Sequence, residues 1–216
     1  CKPEQIVIGA GVQSLLHILC PLLNRKRVLF RNQDFIHGKA IFEDYGFEVL
    51  EQADAEKDIF YISPSQISKA GGVLPIQDRM KLIREASEKR FLIIEDDYNS
   101  EFQYFQKPTP SLQGLAGGRG VVYIGTFSKM LLPSIRMSFM VLPPEMLFLY
   151  EKRKNLYNQT ASKAEQIAIT QFIRDGHLLS QIRKSRKIHQ EKAAQLVRVL
   201  KKQLGSMARV RMGESG

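Results

Sequence analysis

Phe91–Tyr98 reads FLIIEDDY, a near-continuous apolar run that ends in three acids and a tyrosine. A strand without polar alternation has to be covered on both faces, and the sheet that provides this is the mainly parallel sheet of an α/β layer architecture. The flanking segments agree. Gln77–Lys89 has strong helical spacing, and Asp58–Ile62 is a strand that empties into the polar turn Ser63-Pro64-Ser65. Gly38–Tyr45 reads as a helix and Arg27–Phe30 as a strand. At the start, Gln5–Gly11 (QIVIGAG) is a β-branched run closing on glycines, followed by Leu15, Leu16, Leu19 and Leu22 at helical steps. The order is βαβαβαβ, with helices expected on both faces of the sheet.

In such sheets ligands sit beyond the carboxyl ends of the strands, so the residues just after each strand carry the chemistry. Val121–Met137 (VVYIGTFSKMLLPSIRM) delivers Lys129 into a turn with Thr126 and Ser128 before it and Arg136 seven residues on. Hydroxyls and a guanidinium beside a primary amine are the parts needed to hold a phosphate next to a nucleophile, as in pyridoxal phosphate anchoring. After FLIIE, a carboxylate can pair with a protonated pyridine nitrogen, and Tyr98 can hydrogen-bond a ring hydroxyl. The Gly9–Gln13 turn opens a helix whose N–H groups suit an anion, and Phe35 can stack on a ring. Each feature alone also has a plain structural reading: a surface lysine, an Asx turn, a tightly packed glycine turn, a core phenylalanine. Their joint order is what points to one cofactor.

Composition bounds the rest. The chain has 216 residues, 44% hydrophobic, enough for a sizeable core. Cys1 and Cys20, with His17, His37, His177 and His189, form neither a disulfide framework nor a metal-ligand spacing. A reducing, cytoplasmic setting without a structural metal is expected. The longest apolar stretch, Val12–Leu23, is interrupted by His17 and Pro21 and is too short to span a membrane. The net charge of +10 lies wholly in the last third: Cys1–Leu149 holds 17 basic and 17 acidic residues, Tyr150–Gly216 holds 15 and 5. That third has the spacing of helices at Pro144–Leu156, Ser162–Arg174 and His177–Gln203, so its lysines and arginines are expected to form a solvated face rather than a nucleic-acid contact. In the last helix Leu178, Ile182, His189, Ala193, Leu196, Leu200 and Leu204 make one apolar stripe. Thr109–Gly120, rich in Pro, Gly and Ser, reads as a loop. The missing initial Met and the turn-like end at Gly216 suggest a fragment.

The wording around these motifs resembles the aminotransferase-like domain of MocR-type regulators, a branch of the GntR superfamily built on the fold-type I pyridoxal-phosphate enzymes. The resemblance runs from PEQIVIGAG through SPS, IIEDDYNSEFQY and PTPSLQG to YIGTFSKMLLPSIR and FMVLPPE. It implies a fold-type I large domain over 1–175, with 176–216 forming a long helix toward a small domain. It implies Lys129 as the Schiff-base lysine that forms an internal aldimine with pyridoxal 5'-phosphate, Asp96 as the pyridine-nitrogen partner and Tyr98 as the ring-hydroxyl partner. Thr126, Ser128, Arg136, Gly11 and Val12 fall at phosphate positions, and Phe35 where the family usually stacks a tyrosine. It also implies a homodimer, an amino-compound effector that displaces Lys129, and DNA contact only through a winged-helix domain outside this chain.

Three positions depart from the family. His37 stands where a relative has an arginine for the effector's carboxylate. Ser68 and Lys69 alter the loop after Ser63-Pro64-Ser65. The stretch from Gly46 to Asp58 is about a dozen residues shorter than in relatives. His37 and Ser68 are therefore the expected effector contacts, and their change favours a ligand-sensing domain over the alternative, an active pyridoxal-phosphate-dependent aminotransferase acting on an amino acid.

Overall fold

The computed structural model describes all residues except 25, 32–34, 52–55, 68–71, 103–108, 206 and 211–216. Among the described residues, seven strands form one sheet: β1 (Ile6–Gly9), β2 (Arg27–Phe30), β3 (Glu48–Leu50), β4 (Ile59–Ile62), β5 (Leu92–Asp97), β6 (Val121–Thr126) and β7 (Ser138–Val141). They lie in the order β1-β7-β6-β5-β4-β2-β3. β7 runs antiparallel to both β1 and β6, and the remaining pairs are parallel. The mainly parallel α/β sheet expected from FLIIE is present.

Helices cover both faces: α1 (Val12–Leu19), α2 (Ile36–Asp44), α3 (Ile76–Lys89), α4 (Leu112–Leu115), α5 (Pro144–Arg153), α6 (Lys163–Arg174) and α7 (His177–Leu204). One core cluster joins Leu15, Leu16 and Leu19 of α1 and Phe42 of α2 to Val28, Ile59, Ile94 and Ile124 of the sheet. A second, on the opposite face, joins Ala86 of α3 and Leu112 of α4 to Ile62, Ile93 and Val121. Each fully buried leucine or isoleucine in these layers contributes about 2 kcal/mol relative to an exposed one. Pro21 ends α1 early, so Leu22, expected to continue it, lies on a 3₁₀ turn over Cys20–Leu22.

Three elements differ from the sequence reading. β3 has only three residues with a polar start, too short for an alternation signal. β7 was not read as a strand: it is four residues long, and its antiparallel pairing joins the preceding strand β6 to the distant β1. The loop expected over Thr109–Gly120 contains α4, whose first amides are satisfied by distant and local acceptors. The Glu95 carboxylate accepts from Leu112 N at 2.9 Å and Gln113 N at 2.9 Å, and Ser111 Oγ accepts from Gly114 N at 3.0 Å.

α7 begins where expected and ends one residue later. Its Arg183, Lys184, Lys187, Lys201 and Lys202 are exposed. The apolar stripe is only half-buried, and Leu196 is exposed while Val197 takes the inward place. Among the described residues no helix is long and apolar enough to cross a membrane.

Candidate functional site

Alternation along β5 separates the three acids of FLIIEDDY. Ile94 belongs to the α1-side core and Ile93 to the α3-side core, so Asp96 shares the α1 face while Glu95 and Asp97 share the other. The two aspartates consequently have different work. Asp97 is tied on all sides: Ser65 Oγ donates to Oδ1 at 3.1 Å, Ser100 N to Oδ1 at 3.1 Å and Tyr123 Oη to Oδ2 at 3.0 Å. Asp96 accepts from Tyr61 Oη at 2.8 Å.

Burial, with repulsion from Asp97, pushes the Asp96 carboxyl up to about 6, and the Tyr61 hydrogen bond pulls the other way. Tyr61 is fully buried, and burial beside Asp96 holds its phenol protonated as the donor. A buried acid with one neutral donor lacks a cationic partner at neutral pH, and a positive ring nitrogen is the kind of group that supplies one.

This has a consequence for stability. Asp96 keeps its proton to higher pH in the folded chain than in the unfolded one, so its contribution is complete below about pH 4 and is lost as pH rises through about 6. Asp96→Asn is expected to remove that fall, on the order of 3 kcal/mol. Thermal unfolding of the cofactor-free protein from pH 4 to pH 7 checks it: equal slopes for both proteins would show that Asp96 is not the group responsible. Glu95, pushed up by burial to about 7, acts in the same direction and would leave a residual slope.

Lys129 follows β6 on the turn Ser128–Met130. Its Nζ donates to Asn99 Oδ1 and lies 5.5 Å from the centre of the Tyr98 ring and 6.0 Å from that of Phe102. Partial desolvation lowers its ammonium below the ordinary lysine value, although the residue as a whole is solvent-exposed. The turn is closed from inside. Thr126 Oγ1 donates to Met137 O at 3.4 Å and accepts from Ser128 N at 3.2 Å, and Ser128 Oγ donates to Ile135 O at 2.6 Å. The two hydroxyls therefore bind the ends of the Lys129 loop together, and each would have to turn its hydrogen away from a main-chain carbonyl to donate to an anion.

The glycine turn lies across the sheet. Gly11 has φ +92°, and a Cβ there would sit 2.8 Å from an Arg136 guanidinium nitrogen. Gly11 thus supplies clearance, since its own N–H donates to Gly9 O at 2.9 Å. The result is a guanidinium laid over the start of α1, whose N-cap has no side-chain cap. Thr160, which the sequence reading did not single out, fixes this turn by accepting from Ala10 N at 2.9 Å.

Register joins the parts. Gly9 pairs with Ser138 and Ser138 with Thr126, while Gly125 pairs with Asp97. The α1 start and Asp96 are thus three strand spacings apart, about 14 Å. Ser138 sits between them with 0% exposure, and its Oγ is the one buried side-chain polar atom without a partner among the described residues. An orphaned hydroxyl in the row between a guanidinium-capped helix start and a buried acid fits a phosphorylated ring lying across the strand ends.

Phe35 rests on Gly38, where any Cβ would meet its ring at 2.2 Å, and its ring centre is 5.5 Å from that of Tyr61. Phe35 is therefore linked through Tyr61 to Asp96. His37, two residues on in α2, is exposed. Ser68 lies outside the described residues. Val12 is the first residue of α1. Sequence reasoning missed Tyr61, Asn99 and Ser138; the first two were legible only as polar residues at strand ends, and the third gave no signal.

No protein-family profile matches the chain. It is 35% identical over 229 residues to an uncharacterized HTH-type transcriptional regulator of Bacillus subtilis, YdeL, covering 100% of this chain and 50% of that protein. It is 25% identical over 230 residues to the probable rhizopine catabolism regulatory protein MocR of Rhizobium meliloti, covering 100% of this chain and 47% of that protein. The structure matches an α-aminoadipate aminotransferase of Thermus thermophilus, solved with N-(5'-phosphopyridoxyl)-L-leucine, with a TM-score of 0.81 at 24% identity, covering 100% of this chain and 60% of that one. The chain spans about half the length of these curated relatives.

Proposed function

Since the chain belongs, over its whole length, with the aminotransferase-like part of MocR-type HTH regulators, we propose that it is the pyridoxal-phosphate-binding, effector-sensing domain of such a regulator. The observation that carries this is the common placement of Lys129, Asp96 and the Arg136–Gly11 contact at one edge of a mainly parallel sheet. When bound, the cofactor supplies an aldehyde that condenses with a primary amine and a protonated ring that withdraws electrons.

The chain's own groups have separable tasks. Lys129 presents the amine. Arg136, Thr126, Ser128 and the start of α1 at Gly11 and Val12 hold the phosphate. Asp96, kept in place by Tyr61, holds the ring nitrogen proton. Tyr98 meets the ring hydroxyl and Phe35 covers a ring face. His37 and Ser68 contact the effector, an amino compound that competes with Lys129 for the aldehyde. In the complete protein, a cytoplasmic homodimer, residues 1–175 are the large domain, α7 leads into a small domain, and DNA is bound by an HTH segment outside this chain.

The test uses the intact protein loaded with pyridoxal phosphate. Candidate amino compounds are added while visible absorbance, operator binding and keto-acid release are followed. A sensor shows a stoichiometric absorbance change with altered DNA binding and no more than one equivalent of keto acid. Sustained keto-acid formation over many turnovers would overturn it in favour of an aminotransferase.

A further inference from the structure

Asn99 has no assigned role in the reading above, yet its Oδ1 accepts from Lys129 Nζ. It is fully buried, with 0% exposure, in the turn after β5. Its main-chain carbonyl accepts from Phe102 N at 3.1 Å, which fixes the backbone. Two of its side-chain contacts are of opposite polarity: Nδ2 donates to Gln66 Oε1 at 3.3 Å, and Oδ1 accepts from Lys129 Nζ. Reversing the amide would set an NH₂ against the lysine, so the lysine contact selects the oxygen, and Gln66 satisfies the remaining NH₂ by presenting its own oxygen.

The choice of amide over carboxylate matters at this place. A carboxylate of the same shape would hold Nζ as an ammonium by about one to three pKa units, and an ammonium has no lone pair for a carbonyl carbon. An amide oxygen accepts an N–H from either protonation state and leaves the lone pair of a neutral amine unengaged. The titratable groups on the surrounding elements are Asp97, Tyr98 and Glu101 at the β5 end, Arg136 on the same loop as Lys129, and Arg186 and His189 on α7. Asp97 is committed to Ser65, Ser100 and Tyr123. Arg186 donates to Glu101 O at 2.9 and 2.6 Å, and His189 packs 5.7 Å from the Phe102 ring.

We propose that Asn99 is a positioning residue for Lys129: oriented by Gln66, its amide oxygen holds Nζ over the Tyr98 ring with the amine lone pair left available to a carbonyl ligand. This rests on Lys129 being the amine that takes the cofactor, and the test separates the two claims. In the intact cofactor-free protein, acylation of Lys129 by acetic anhydride is measured by mass spectrometry from neutral to alkaline pH. Asn99→Asp is expected to raise the pH of half-maximal reactivity by about one unit or more. In a second measurement, pyridoxal phosphate uptake is followed by visible absorbance, and Asn99→Leu is expected to slow it about tenfold. Gln66→Leu, at a half-buried position, is expected to slow it less while leaving the fold intact.

An unchanged acylation midpoint in Asn99→Asp would overturn the proposal, as would wild-type uptake rates in both Asn99→Leu and Gln66→Leu. If wild-type protein takes up no cofactor at Lys129, the cofactor reading fails, and the acylation midpoint still decides whether Asn99 governs the amine.

Discussion

Lys129→Ala is expected to abolish the visible absorbance that the intact protein develops with pyridoxal phosphate, and with it any borohydride-fixed adduct on the Ser128–Met130 turn. The effect is all-or-none because the amine is the only group in the constellation that forms a covalent bond to the aldehyde. Arg136, the α1 start and Asp96 remain in the variant, so cofactor retention should persist in weakened form. Equilibrium dialysis for retention, with peptide mapping after reduction for attachment, separates the two contributions. An adduct mapped to another lysine of the wild-type chain would remove Lys129 from its place, whatever the relatives do.

Arg79→Ala is expected to destabilise the domain by about 3 kcal/mol or more, without Arg79 touching the site. Arg79 is 3% exposed and donates to Leu74 O at 3.0 Å, Pro110 O at 2.9 Å and Pro64 O at 3.3 Å. It also stands 3.9 Å from Glu95 Oε1, a carboxylate only 1% exposed. One side chain therefore ties the turn after β4, the approach to α3 and the segment before α4, and places a cation beside Glu95. Its removal takes this donor from the Leu74 and Pro110 carbonyls, while Pro64 O keeps the Leu74 N–H at 2.8 Å, and takes the cation from beside a buried acid.

For a domain of this size such a loss lowers the midpoint of thermal unfolding by roughly 6–12 °C. Adding Glu95→Gln to Arg79→Ala should recover part of it, since a neutral amide removes the buried charge and its one oxygen can still accept from one of the two α4 amides. A double-mutant cycle with no coupling between the two positions would show that Arg79 acts through its carbonyl contacts alone.

Much of the candidate site was legible because its parts fall at strand ends, and strand ends can be found from apolar runs. FLIIEDDY and VVYIGTFSK each announce where the chain leaves the core, and in a parallel sheet those exits share one edge. β7 was not legible in this way. Its antiparallel pairing with β1 and β6 puts the amino end of Ser138–Val141 at the same edge as the carboxyl ends of its neighbours, which brings Ser138 between Gly9 and Thr126. α4 was hidden for a related reason: its helical geometry is secured by Glu95, seventeen residues earlier and in another element.

The sequence by itself determined the layer architecture, and it named the strand ends and the lysine from which the proposed site is built. These depend on local apolar runs and on which residues follow them, and both are properties of the chain read in order. Tertiary structure put Asp96 on the α1 face and Glu95 and Asp97 on the other, which local pattern could not do, because a two-residue alternation has no absolute phase until a neighbouring layer fixes it. It also decided that Tyr61 serves Asp96, that Arg136 covers Gly11 and that Asn99 holds Lys129. Those pairs meet across 35, 125 and 30 residues, at distances set by sheet register, which no local pattern encodes.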